Sequence, residues 1–486
     1  MKEQNRIAKV VNSKCYPLLL FFVSFVFVVL FSRSTSFLYV FEGADPAIFK
    51  QMGLAILRGK TLYIDYFDNK GCILYFIHAL GLWLGGDFFI LLMQTISLTV
   101  TLLIWDKMLA LYRDERSRLI CLGIALFMLF CFYGAGDQTQ EWCLPFISYP
   151  LLVYFRAHKT SSEIRPLQML FIGLCFGIIT FIQINNACAF LGFIAYLWLQ
   201  YILRKDFREL FQSIGCFILG WVIIAIPCVL YFYIKAGWNG VYEMVYATFL
   251  SNLEYLGVQH GTSWIHWLPY SLFVVFFLLT NILALYKKRE FLVPMLISIL
   301  LFIGTFGRLC NSFYLTALLP LCIVSMMMID LKAKFVPSLI VVICALFIGS
   351  IGIFHFVNDL ILRNEKEVAI YKNFHRCVQN IPENERDSIF NYNLIWHGYG
   401  MMQHEKLLQC NKVSLGYDLP TLKEKTSKPA SKPKWILITW NYMVKSDRVF
   451  INKYYELVYF FPYDQLYFTK PMIGKKFVVC LYRRKD

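Results

Sequence analysis

Read only for apolar and polar positions, the chain is a succession of long apolar runs separated by short polar ones, which predicts helices that cross a bilayer. The first run, roughly Tyr16 to Phe31, follows MKEQNRIAKVVNSK, with Lys2, Arg6, Lys9 and Lys14. A basic flank ahead of an apolar core places the N-terminus in the cytoplasm. The small-residue stretch SRSTS behind it resembles a signal-peptide cleavage site. The run is long for a signal core and many more follow, so an uncleaved anchor is the preferred reading. After a polar stretch at 41–70, GCILYFIHALGLWLGG is apolar but short, and predicts a half-embedded helix leading into a full span near Asp87 to Leu111. Further spans are predicted near 119–135, 142–155, 166–182, 187–203, 211–234, 266–286, 291–306, 313–329 and 336–357.

With about eleven spans, every other loop is basic and the basic loops share one side. They are YRDERSR, RAHKTSSEIR, RKDFR, YKKRE and DLKAK. The parity puts 41–86, 134–141, 235–265, 307–312 and everything after about 358 on the outer side. The tail changes character: it is charged, carries the strand-like runs SIFNYN, KWILITW and KFVVCLYRR, and contains the Lys/Pro-rich loop KEKTSKPASKPK. The expected architecture is a polytopic α-helical membrane protein, with interfacial helices in the first outer loop, 41–86. The division is a membrane domain at 1–357 and a small α/β or α+β extracytoplasmic domain at 358–486, in the plasma (inner) membrane.

Composition supports this and removes one alternative. The 486 residues are 58% hydrophobic and 18% aromatic, with only 16% charged, too few to clothe a soluble core of that length. The net charge of +16 would suit nucleic acid, but the basic residues lie mostly in short clusters between apolar runs, so no nucleic-acid partner is expected. Fifteen cysteines are scattered, most of them in apolar segments, without a CxxC pair, and indicate neither a disulfide framework nor a zinc site.

The chemistry lies in the outer loops. In GADPAIFKQMGLAILRG, Ile48, Met52, Ala55 and Ile56 share one helical face, with Lys50, Gln51 and Arg58 elsewhere. Asp45 suits the cap, Pro46 the first helical position and Gly59 the stop. A helix of about thirteen residues is too short to span and suits the interface plane. Asp45 is thus a helix cap, a catalytic carboxylate, or both. YIDYFDNKG adds Asp65, Asp68 and Lys70; Asp65 reads as a solvated turn, whereas Lys70 opens an apolar helix where it could meet a lipid phosphate. GAGDQTQEW offers Asp137, a capping candidate, and Glu141, four residues on. Arg308 stands at the outer end of a span, either snorkelling to headgroups or gripping a phosphate. Carboxylates suit a general base and cations a phosphate leaving group, the two requirements of glycosyl transfer from a lipid phosphate. No GxGxxG, P-loop or HExxH is present, so a soluble nucleotide-sugar donor has no support.

The first outer loop, GADPAIFKQMGLAILRGKTLYIDYFDNKGCILYFIHALG, resembles that of the GT-C superfamily of integral-membrane glycosyltransferases, nearest the aminoarabinose and protein mannosyl transferases. GKTLYID matches a G-x-x-x-Y-x-D step, and FDNKGC a turn in which Asn69 replaces a usual histidine and Cys72 a usual proline. GDQTQEWCLPF is similar to the second-loop acidic element, with Gln140 and Glu141 at the acidic step. GRLCNSFYLTALLPL is similar to a late element but lacks its histidine at Asn311-Ser312-Phe313. The resemblance covers the first 357 residues or so. It implies inverting transfer of a sugar from a polyprenyl-phosphate donor to a lipid, glycan or protein acceptor at the outer face, among membrane lipids. By position, Asp45 matches the catalytic carboxylate, Glu141 the second acid, and Lys70 and Arg308 places near the donor phosphate. Asp68, Asp137 and Tyr314 are supporting candidates. Some members bind a divalent cation; no metal cluster is legible in the sequence. A transporter or flippase for a lipid-linked saccharide, and a non-catalytic scaffold, are the competing readings. The first would more naturally carry paired repeats or charges within the spans.

Overall fold

The computed structural model describes residues 11–34, 43–132, 136–252, 289–306, 312–328, 364–387, 389–392, 401–403, 405–408, 433–439, 445–464 and 476–485. The spans expected near 266–286 and 336–357, Glu42, Arg308 and nearly all of the Lys/Pro-rich loop lie outside them. The helices are α1 (Tyr16–Phe31), α2 (Ala44–Leu57), α3 (Cys72–Leu84), α4 (Asp87–Leu109), α5 (Glu115–Phe132), α6 (Thr139–Lys159), α7 (Pro166–Gln183), α8 (Cys188–Arg204), α9 (Phe207–Val245), α10 (Arg289–Phe306) and α11 (Leu319–Met328). The tail adds α12 (Asn364–Val378) and α13 (Lys445–Tyr454). Two compact units result, one drawn from Met1–Ser32, Asn69–Leu74 and Leu91–His355, the other from Arg33–Asp68, Tyr75–Ile90 and Phe356–Asp486.

Three helical runs among the described residues are long and apolar enough to cross a membrane: Asp87–Leu109, Pro166–Arg204 and Phe207–Leu250. Shorter apolar helices accompany them, α1 and α3 included. Local chemistry sets their ends. Pro166 opens α7, whose first turn closes when Gln168 Oε1 accepts from the Arg165 amide at 2.9 Å. Asp206 caps α9 by accepting from the Glu209 amide at 3.3 Å. α7 and α9 pack directly on each other. A Cβ added at Gly173 would collide with the Phe217 carbonyl, so glycine there sets how closely the two backbones approach. Beneath α4 and α5, Asp106 accepts from Arg118 Nε at 3.0 Å and from the Tyr16 hydroxyl at 3.3 Å, tying the basic YRDERSR segment to the helix ends.

One expected boundary holds and another differs in helix type. The span predicted near 211–234 keeps helical geometry from Phe207 to Lys235 and breaks at Ala236 and Gly237, at φ −150° and 60°. Behind the break a further helical stretch, counted within α9, runs to Val245 and a π-helical turn at Tyr246–Leu250. The span predicted at 313–329 is instead a 3₁₀ turn, Ser312–Leu318, followed by α11. Pro320, near the start of α11, has no amide to donate backwards, so one rung of an α-helical ladder is missing there.

The second unit contains α2, most of α3 and the tail. In the tail, β1 (Ile389–Tyr392), β2 (Trp435–Thr439), β3 (Tyr455–Asp464) and β4 (Lys476–Arg484) form a mixed sheet in the order β1-β2-β4-β3. β1 and β2 are parallel; β4 runs antiparallel to both its neighbours. Side chains alternate between two cores. Ile389, Leu437 and Leu481 pack with Ile370 and Phe374 of α12, while Phe390, Ile436 and Ile438 pack with Ile451 of α13. The run YELVYFFPYD carries Pro462 and was not predicted as a strand. It pairs at the sheet edge, where a missing amide is tolerated.

Candidate active site

The helix carrying Asp45 is capped differently from expectation. Gly43, extended at φ −61° and ψ 159°, is the N-cap, and its carbonyl accepts from the Ala47 amide at 3.1 Å. Asp45 and Pro46 both lie within the first turn, so Asp45 is not the cap. Its half-buried carboxylate sits where unpaired helical amides and the helix dipole favour negative charge. Gly59, at φ 79°, follows the last turn, as expected of the stop.

Nor is α2 divided into an apolar and a polar face. Ala47, Ile48, Phe49, Met52 and Ala55 are buried, but so are Lys50 and Gln51. Lys50 is 0% exposed; its ammonium donates to Asp87 Oδ1 at 2.7 Å and to the Ser34 carbonyl. Lys50 is tolerated in this setting because Asp87 and Ser34 supply the partners a buried ammonium needs. Arg58, near the C-terminal end, pairs with Asp387 and donates to the Lys406 carbonyl at 3.2 Å. Asp65 is exposed and accepts from the Thr61 amide at 2.7 Å, a solvated turn as read from the sequence. Asp68 is fully buried and accepts from the Tyr75 hydroxyl at 2.7 Å.

In the first unit, Lys70 donates to Asn69 Oδ1 at 2.7 Å. This short stretch is anchored on both sides. The Gly71 amide donates to the Ile182 carbonyl at 2.9 Å, and Asn252 donates to the Asn69 carbonyl at 3.0 Å. Cys72, standing where the resemblance has proline, is buried and opens α3. On α6 the cap is Gln138, so the expected capping by Asp137 does not occur. Asp137 sits in the left-handed region at φ 57° behind Gly136, which turns its carboxylate onto the Trp142 indole, 2.7 Å away. The Asp137 amide in turn donates to Glu141 Oε2 at 3.1 Å. Glu141 and Trp142 border a small cleft of about 20 Å³ whose walls include Val28, Gln94, Ser97 and Leu129. Tyr314 is buried and stacks on Phe306, with ring centroids 5.0 Å apart.

Asp45 and Asp68 thus belong to one unit, and Lys70, Asp137, Glu141 and Tyr314 to the other. Among them the structure directly joins Asp137 to Glu141. The sequence reading missed a group of buried carboxamides, Gln140, Gln183 and Asn186. The signal that could have found them is QINN, four polar-rich positions between two apolar runs. Among the described residues no three His, Cys, Asp or Glu side chains converge as a metal site.

No protein-family model and no curated protein sequence matches the chain. Solved structures match in fold. ArnT from Cupriavidus metallidurans, bound to undecaprenyl phosphate, superposes with a TM-score of 0.51 at 12% identity, over 96% of this chain and 98% of its own. The Archaeoglobus fulgidus oligosaccharyltransferase in complex with Zn and sulfate gives 0.49 at 13% identity, over 92% and 72%. The same organism's AglB with an inhibitory peptide and a dolichol-phosphate gives 0.49 at 12% identity, over 97% and 74%. The chain shares its overall fold with ArnT.

Proposed function

We propose that this protein transfers a sugar from a polyprenyl-phosphate donor to an acceptor hydroxyl at the outer face of the plasma (inner) membrane, inverting the anomeric carbon. The observation that carries the reading is the likeness in fold to ArnT along nearly the whole of both chains, a protein determined with undecaprenyl phosphate bound. The outer loops supply the residue types the reaction needs. Asp45 takes the proton of the acceptor hydroxyl while that oxygen attacks C1. The bond from C1 to the phosphate oxygen breaks, its electron pair leaving with the polyprenyl phosphate. Lys70 and Arg308 offset the charge gathering on that phosphate. Glu141 orients the acceptor or Asp45, and Asp68, Asp137 and Tyr314 support them. The acceptor is a lipid, a glycan or a protein. About eleven helices of residues 1–357 span the membrane with the N-terminus cytoplasmic, and residues 358–486 form an extracytoplasmic domain. The test is Asp45→Asn in membranes supplied with labelled polyprenyl-phosphate sugar: loss of covalent transfer supports the reading, and near-normal turnover in a folded variant would sink it.

A further inference from the structure

α7 ends abruptly. Gln183 leaves helical geometry at φ −165° and ψ 106°, and a 3₁₀ turn, Ile184–Ala187, links it to α8. Facing this break is the first turn of α6, and the two are joined by two rungs of polar side chains. On the first, Gln183 Oε1 accepts from the Thr139 hydroxyl and from Gln140 Nε2 at 3.3 Å. On the second, Asn186 Nδ2 meets Cys143 Sγ at 3.5 Å. The rungs stand three residues apart on each strand of the pairing, about one helical turn. Gln140 and Asn186 are both 0% exposed, and Gln183 is 6% exposed.

The network is incomplete. Gln140 Oε1 and Asn186 Oδ1 are buried without a hydrogen-bond partner. Turning either amide over exchanges a missing donor for a missing acceptor and leaves the deficit in place. Each unmet group costs about 1–3 kcal/mol, and two of them sit one turn apart beside an interrupted helix. Irregular backbone in a membrane protein is tolerated where it is buried in protein or lines a cavity. The break is also where the Lys70 stretch is anchored, through the Gly71 amide on the Ile182 carbonyl.

We propose that Gln140, Gln183 and Asn186 form a hydroxyl-reading sub-site that selects the saccharide; this rests on the glycosyl-transfer reading. A hydroxyl both donates and accepts, so it satisfies a carboxamide either way round, and neutral carboxamides discriminate hydroxyl patterns without attracting phosphate. The hydroxyls belong to the donor sugar or to a sugar acceptor, and the experiment separates these sources.

The test uses the full chain in nanodiscs as Gln140→Leu and, separately, Asn186→Leu. The donor probe is polyprenyl-phosphate lipid extracted from cells fed labelled glucose, scored by retention on the protein and by transfer of label. The acceptor probe is membranes from cells lacking this protein, varied in amount at fixed donor. The expected result is a rise of about tenfold in the half-saturating amount of one probe, equivalent to about 1.4 kcal/mol. The unfolding temperature should hold or rise, because replacing an unsatisfied buried amide by an apolar group of similar shape is not destabilising. The probe that moves identifies the sugar being read. Unmoved saturation curves, with or without a drop in unfolding temperature, mean the amides serve packing or an internal water and overturn the proposal. Should a leucine variant fail to fold, Asn186→Ser, which keeps a small hydrogen-bonding group, carries the same readouts. Wild-type protein that retains labelled lipid but never transfers it defeats the glycosyl-transfer reading and leaves the sub-site standing. Normal transfer with unmoved variants defeats the sub-site alone.

Discussion

Two helices begin with a carboxylate in the first turn and use it differently. On α6, Glu141 reaches back to the Asp137 amide, so one of its oxygens helps to hold the helix entry. On α2 the cap is Gly43, and the entry is closed by backbone through the Ala47 amide. The same sequence signal, an acid just ahead of a helix, therefore yields a structural holder in one place and a carboxylate not used as a cap in the other. The contrast predicts that the two positions respond differently to substitution.

The largest effect should come from Asp45→Asn. A positioned general base contributes about 10²–10⁴-fold. Sugar transfer should fall by about that factor while the unfolding temperature stays put, measured on the same preparation. Next is Lys50→Met, which removes a buried ammonium from half-exposed Asp87 and should destabilise the unit by about 1–3 kcal/mol, read from denaturant melts. Lys50→Met with Asp87→Leu should restore most of that stability, since an apolar pair can replace a buried ion pair; a double variant as weak as the single one would contradict this account. On the α6 side, Trp142→Phe removes the indole donor from fully buried Asp137 and should cost about 1–3 kcal/mol, seen as a lowered melting temperature. The smallest effect lies in the tail. Lys434 and Trp435 hydrogen-bond the Glu385 carboxylate, at 2.5 and 2.6 Å, and hold its pKa below the ordinary value. A depressed folded-state pKa gives stability that is present above the unfolded value, about 4.3, and is lost as pH falls through the folded one. Glu385→Gln should therefore flatten the acid limb of the tail's melting curve slightly, and an unchanged limb would remove that pair from consideration.

Much of this was legible because apolar periodicity dominates a membrane chain. The first predicted run and α1 share the bounds Tyr16–Phe31, and the short helix at Cys72–Leu84 was expected as short. What escaped has physical causes. Lys50 reads as a surface residue because the sequence cannot show that Asp87, thirty-seven positions away, will meet it. The cap at Gly43 was missed because aspartate has the stronger capping preference, whereas glycine caps through backbone freedom alone. The carboxamides of α6 and α7 were passed over because neutral polar residues leave no charge pattern, and only their burial makes them conspicuous. β3 was missed because Pro462 argues against a strand unless its place at the sheet edge is known.

The sheet order carries a consequence for biogenesis. β4 is the last of the four strands to be made, yet it lies between β2 and β3 and contributes Leu481 and Cys480 to the two cores on opposite faces. Until that segment emerges, β2 and β3 have no shared partner and both cores stay open to water. A chain ending anywhere before Lys476 would therefore carry a tail whose apolar strands and two cores stay exposed.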